Sequence, residues 1–142
     1  MLKKILGIAP QLESDGSYKP SKLALKLGTV DKTDFEDIKY EKYTGSKSKV
    51  LVIFTEQKNM KMKNGKLFST GNHPIEALLP MLHLKNAGFD FEIATPTGKP
   101  VVFEMWAFPE EDEHVKSIYN ELKTSFEKPI KLADFIDSSF ND

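Results

Sequence analysis

The stretch from residue 49 to residue 94 most constrains the fold, because it has the pattern of a strand, then a helix, then a second strand. Residues 50–54 are continuously apolar, which is typical of a strand covered on both faces. Residues 73–87 carry apolar side chains at helical spacing, and Gly88 is a natural end for that helix. Residues 89–93 alternate between apolar and acidic side chains. This order predicts a βαβ unit with parallel strands and a right-handed crossover.

Weaker patterns flank this unit. Residues 55–70 are polar and contain glycine, so we predict a long loop, and long loops in compact domains are often functional. Residues 101–103 are a short candidate for a third strand. Acidic side chains at 110–113 precede an apolar stripe at helical spacing, which predicts a helix that Pro129 ends. Residues 131–136 predict a final short helix.

Residues 1–48 lack a clear period and contain scattered charges, glycines and aromatic side chains. We predict an irregular N-terminal arm that packs on the rest through its aromatic residues. Two good strands and one weak candidate are fewer than a doubly wound α/β domain needs. The sequence therefore has the appearance of the first half of such a domain.

Composition excludes several functions. A net charge of −1 over 142 residues gives no electrostatic basis for binding nucleic acid or an anionic membrane. The chain has no cysteine, so it contains no disulfide, no thiolate metal site and no cysteine nucleophile. No apolar stretch approaches the ~18–20 residues that span a bilayer, and we expect a cytoplasmic protein.

Glu76 has two interpretations. Pro74 suits the first position of the predicted helix, and Glu76 then lies where a capping-box carboxylate reaches back to a free backbone N–H. Alternatively, Glu76 is a carboxyl in a cleft that carries protons. Spacing alone favours the capping box. Pro80 is expected to kink the helix, and His73, His83 and His114 do not form a metal-binding signature.

A longer motif changes that balance. Residues 64–76 read NGKLFSTGNHPIE and residues 78–80 read LLP. With residues 87–89, 94–95, 103–107, 112–113 and 131–134, this motif closely resembles the HchA-type glutathione-independent glyoxalases and protein deglycases. They form the heat-shock chaperone branch of the flavodoxin-like PfpI superfamily. The resemblance covers about residues 20–136.

The resemblance implies a homodimeric α/β protein that converts 2-oxoaldehydes such as methylglyoxal, or glycated substrates, and that holds unfolded protein clients in the stress response. Residues 1–48 are then the arm, and residues 49–142 are the N-terminal half of a flavodoxin-like parallel sheet sandwiched by helices. Glu76 matches the family's catalytic, proton-shuttling glutamate. The family's cysteine nucleophile and its histidine are expected in later strands, beyond Asp142, and this chain alone is expected to be inactive.

Some members of the family hold a metal with two histidines and one carboxylate. The matching positions are Lys85, Asp90 and Leu122, and a lysine and a leucine cannot replace imidazoles. We therefore predict no metal site, no cofactor, no membrane partner and no sequence-specific nucleic acid. The alternative function is a holding chaperone, or a truncated pseudoenzyme, that performs no chemistry.

Overall fold

The computed structural model describes residues 2–45 and 49–139. The first of these ranges contains α1 (Leu2–Ile5), β1 (Gln11–Leu12), β2 (Tyr18–Lys19) and α2 (Lys22–Gly28). The second contains β3 (Lys49–Ile53), β4 (Asn59–Lys61), β5 (Leu67–Ser69), α3 (Pro74–Asn86), β6 (Asp90–Thr95), a 3-10 helix (Met105–Ala107), α4 (Glu113–Glu121), α5 (Lys123–Glu127), β7 (Ile130–Lys131) and α6 (Leu132–Ser139). None of the helices in these two ranges has the length and apolarity needed to cross a membrane.

The central sheet is parallel and has the strand order β3, β6, β7. The register of its main pair runs from Lys49 opposite Asp90 to Ile53 opposite Ala94. The predicted pairing of these two strands is confirmed, and so is the α/β fold class, with parallel strands flanked by helices in a partial flavodoxin-like domain. Within the described ranges β3 pairs with β6 alone, so its other edge carries no strand.

The prediction of a third strand at residues 101–103 is wrong, because the third strand is β7. The backbone N–H of Val101 donates to Phe126 at 2.8 Å, and that of Val102 donates to Thr55 at 3.2 Å. Phe103 forms an isolated parallel bridge with Asn72. Since consecutive residues bond to three different segments, no ladder can form.

The prediction of a loop over residues 55–70 is also wrong in part. β4 and β5 form an antiparallel hairpin, and Gly65 occupies its turn with a φ of 78°. Only glycine adopts this conformation without strain. β2 pairs in parallel with β5, through Tyr18 and Phe68. The N-terminal segment therefore shares a second, four-stranded sheet with the hairpin, in the order β1, β2, β5, β4.

The predicted helices are present, with one change. α3 begins with Pro74 at its first position and continues past Pro80 to Asn86. The helix expected after residue 113 is divided into α4 and α5 at Leu122. The final short helix is α6.

The apolar core lies between α3, the central sheet and α4. Leu78 and Val115 are completely buried, at 0% exposure. The core consists of Phe54, Leu78, Met81, Leu82, Ile93, Phe108, Val115, Ile118 and Phe126. Each of these residues follows residue 49, so the burial that holds this sheet and its helices together comes from the second described range.

Residues 2–45, the arm, are attached to this core mainly by rings and polar groups. The Phe35 ring lies 4.9 Å from both the His83 and the His114 rings, measured between centroids. Tyr43 stacks on Phe89 at 4.7 Å. The division of the chain at residues 48 and 49 stays a prediction.

Asp112 is the buried link between the arm and the core. Its side chain, 2% exposed, accepts hydrogen bonds from the backbone N–H groups of His114 and Val115 and so caps α4. It also accepts from the backbone N–H of Thr33, at 2.9 Å, and from the Thr33 hydroxyl. Burial by itself would raise the pKa of Asp112, but these hydrogen bonds outweigh burial and lower it below its usual range.

Candidate active site

An open cleft of about 540 Å³ follows β3 on the side of α3. Residues 50–54 form one wall, and Ala77, Pro80, Met81 and Leu84 of α3 form the other. Gly71, Asn72, His73 and Glu76 lie at the end where β3 finishes and α3 begins. Parallel α/β proteins bind ligands beyond the carboxyl ends of their strands, so this end of the cleft is the candidate site.

Asn72 fixes the geometry of this end. Its side-chain Oδ1 accepts from the backbone N–H of Thr55 at 3.1 Å. Its Nδ2 donates to the carbonyl groups of Thr55, at 3.0 Å, and Val102, at 2.7 Å. Its backbone accepts from the N–H of Glu104 at 3.0 Å. One side chain thereby joins the end of β3, the start of α3 and the segment at residues 102–104.

Gly71 is required by how closely these segments approach. A Cβ atom at this position would lie 2.8 Å from the Val102 carbonyl oxygen and 2.9 Å from the Phe103 carbonyl carbon. Both neighbours are backbone atoms, which cannot move aside as the end of a side chain can. The glycine in the motif at residues 64–76 is thus explained by backbone packing.

Glu76 is the third residue of α3, where the sequence predicted it, and its side chain is exposed. Within residues 2–45 and 49–139 its carboxylate forms neither a hydrogen bond nor an ion pair. His73 occupies the N-cap position without a side-chain cap. The capping-box bond is therefore not formed, and the Glu76 carboxylate is left available at the mouth of the cleft.

Glu104 was not predicted as a site residue, and the structure brings it to Glu76. Its Oε1 accepts a long hydrogen bond, 3.4 Å, from the Thr70 hydroxyl. Burial raises the pKa of Glu104 above its usual range; the His73 charge and the Thr70 hydrogen bond oppose the rise, and the Glu76 charge adds to it. The local sequence around residue 104 gives no sign of this, because the neighbouring charges come from about 30 residues earlier.

The three histidines lie apart in their surroundings. The Nδ1 atom of His73 is buried without a hydrogen-bond partner among the described residues. His83 shares a 2.9 Å hydrogen bond with the Tyr40 hydroxyl, and His114 contacts Phe35. In the part of the chain that the structure describes, no group of three histidine or acidic side chains is arranged to hold a metal.

The positions that the family resemblance matched to metal ligands have other roles. Lys85 forms an ion pair with Glu121, which links α3 to α4. Leu122 is the C-cap of α4. An ammonium and an aliphatic side chain do not ligate a metal ion, so these residues do not fit the group. The absence of a metal site in the protein stays a prediction.

The chemistry available at the cleft is proton transfer. Two carboxyl groups and an imidazole lie around one end of it, and carboxyl groups are competent general acids and bases. Since the chain has no cysteine, it contributes no thiolate here. These residues can accept or donate protons for a reaction whose nucleophile comes from elsewhere.

Comparison with known proteins identifies the relatives of this arrangement. No family model matches the chain. Curated proteins of Staphylococcus aureus strains JH9, Newman and Mu50, each named protein/nucleic acid deglycase HchA, are 48% identical to it over 128 residues. The match covers 89% of this chain and 44% of each relative. The chain thus spans less than half of these relatives and corresponds to their N-terminal half.

Proposed function

Because the chain belongs to the HchA deglycase family over the 89% of its length that aligns, we propose that it forms the proton-transfer half of such an enzyme. Its substrates are small 2-oxoaldehydes such as methylglyoxal, or the glycated groups that they form. The other half supplies a cysteine thiol. This proposal extends to the chain an activity that the relatives' names state for those proteins.

The proposed reaction starts with addition of the thiolate to the aldehyde carbon, which gives a hemithioacetal. Glu76 then removes the proton from that carbon and returns it to the adjacent one, through an enediol. The product is a thioester of the hydroxy acid. Water hydrolyses the thioester and releases the acid and the thiol, so the net change is addition of one water molecule to the oxoaldehyde.

The observation that carries this proposal is the position of Glu76. Its exposed carboxylate has no hydrogen bond within the described residues, and it lies in the cleft beside the unpaired edge of β3. A parallel strand added at this edge would bring its own carboxyl end to the same end of the cleft. A nucleophile that follows such a strand would therefore meet Glu76.

The test is reconstitution. The chain is expressed together with the part of the S. aureus relatives that it does not span, and methylglyoxal consumption and hydroxy-acid formation are measured. We expect turnover from the reconstituted protein and none from the chain alone. Replacing Glu76→Gln is expected to lower turnover by about 100-fold or more.

The matched control is Glu127→Gln, since Glu127 is an exposed glutamate at the end of α5. This variant is expected to keep full turnover. Full activity of Glu76→Gln would contradict the catalytic role and leave Glu76 as a surface residue. Methylglyoxal turnover by the chain alone would contradict the thiol mechanism, because the chain has no cysteine.

A second function, holding unfolded clients without catalysis, has one specific observation in its favour. The arm exposes large apolar side chains, among them Ile5 at 76% and Leu27 at 78%. Exposed apolar groups of this size are typical of protein-binding surfaces. Suppression of client aggregation by the chain, reduced in a double Ile5→Ser and Leu27→Ser variant and without aldehyde consumption, would favour this function. The homodimer and the cytoplasmic location remain predictions of the family resemblance.

A further inference from the structure

We propose that Glu104 is the proton-holding partner of Glu76: when these two carboxyl groups share one proton, the proton resides on Glu104. The inference rests on the proposed function of Glu76 as a base. Its consequence is that Glu76 stays ionised while a protonated acid is kept beside it. Glu104 is thus a positioning residue for charge at the site.

The backbone holds the two carboxyl groups in this relation. The Phe103 and Asn72 bridge and the 3.0 Å bond from the Glu104 N–H to the Asn72 carbonyl fix residue 104 against the start of α3. Glu76 follows four residues after Asn72, on the first turn of that helix. Gly71 permits this approach, since no Cβ would fit there. The pairing is therefore imposed by segments that cannot slide past each other.

The surroundings of the two groups differ. Glu104 is half-buried and Glu76 is exposed. Burial disfavours the ionised form of a carboxyl, and a nearby carboxylate disfavours it further. Both effects raise the pKa of Glu104, and burial is the larger. Pairs of carboxyl groups that are driven apart in this way divide into an acid and a base.

Other charges around Glu104 are few. Among the described residues, the titratable groups that act on it are His73 and Glu76, both from the start of α3. The Thr70 hydroxyl donates to it, and its neighbours in the 3-10 helix, Met105 and Trp106, do not titrate. The buried Nδ1 of His73 lacks a hydrogen-bond partner in the described ranges, so Glu76 is the one acidic neighbour whose removal tests the proposal.

The experiment follows the glutamate carboxyl carbons of this chain by NMR while the pH is changed through the ordinary glutamate pKa of about 4.3. We expect Glu104 to titrate at a higher pH than Glu127. In Glu76→Gln the midpoint of Glu104 is expected to move to lower pH, because a like charge is lost. In Glu127→Gln it is expected to stay where it was. A Glu104 midpoint that does not respond to Glu76→Gln would overturn the proposal.

A second arm uses the reconstituted enzyme. The pH–rate profile is expected to lose, in Glu104→Gln, the limb that the intact enzyme shows at the Glu104 midpoint. Glu104→Asp is expected to restore a limb, whereas a merely structural role would change the rate equally at every pH. Superimposable profiles would overturn the proposal. The NMR arm needs no activity, so failure of the proposed function and failure of this inference give different results.

Discussion

The arm and the core region of this chain are held in place by different forces. All nine buried side chains of the core cluster follow residue 49, whereas Ser17 is the buried residue of the arm with a polar side chain, bonded to Asp15. The arm leaves Leu2, Ile5 and Leu27 more than half exposed. Its attachment depends on ring contacts and on hydrogen bonds such as that of Thr33 to Asp112. Burial therefore stabilises one region, and individual polar contacts locate the other.

The largest effect is expected from a leucine in the core. Leu78→Ala removes a side chain with 0% exposure and should lower the free energy of unfolding by about 2–5 kcal/mol. The matched change in the arm, Leu27→Ala, removes a side chain with 78% exposure and should change it by no more than about 0.5 kcal/mol. Urea unfolding followed by circular dichroism measures both. Equal losses would contradict the contrast between the regions.

Asp112→Ala is expected to cost roughly 2–4 kcal/mol, because it removes the cap of α4 and leaves the Thr33 donors without their acceptor. The arm should also become accessible. Limited proteolysis between residues 29 and 45 measures this second effect. If the arm stays protected in the variant, the ring contacts of Phe35 suffice to hold it.

Two glycines allow a comparison of close and open backbone. Gly71→Ala places a Cβ 2.8 Å from a backbone oxygen and should destabilise the protein by about 1–3 kcal/mol. Gly28→Ala places a Cβ where no atom lies within 4 Å, so stability should be unchanged or higher by up to about 1 kcal/mol. Thermal unfolding of the two variants is the measurement. A tolerated alanine at residue 71 would mean that the site backbone can relax.

The smallest effect is expected from acid. The pKa of Asp112 is lowered in the folded protein, so its contribution is complete above the unfolded value of about 3.9 and is lost as the pH falls through the folded value. The stabilities of the wild type and of Asp112→Asn should therefore converge below about pH 4. Urea unfolding at a series of pH values tests this. A difference that persists at the lowest pH would assign the effect to the lost backbone contacts alone.

Long, strongly patterned elements could be predicted from the sequence, because burial on a sheet or a helix leaves a period. The parallel β3 and β6 strands and α3 follow from this. The β4 and β5 hairpin was missed although Asn64-Gly65 is a known turn signal, because its strands are short and mostly exposed. Residues 101–103 resemble a strand by composition, yet their bonds go to separate segments.

The site divides in the same way. Glu76 was found from the motif and the helix that positions it, since both are local. Glu104 was not found, because its role depends on Asn72 joining segments about 30 residues apart. A sequence read along the chain does not show which half-buried carboxyl meets which exposed one. Contacts of this kind are fixed by tertiary packing.

The open edge of β3 also governs how the chain behaves when it is concentrated. A row of free backbone N–H and C=O groups on an apolar strand is a template for another strand. Lys49, which pairs with Glu92, is the one charged residue of β3, and Ile53 at the other end is 55% exposed. Two copies are therefore expected to join along this edge whenever no other strand covers it, so solubility should fall as concentration rises.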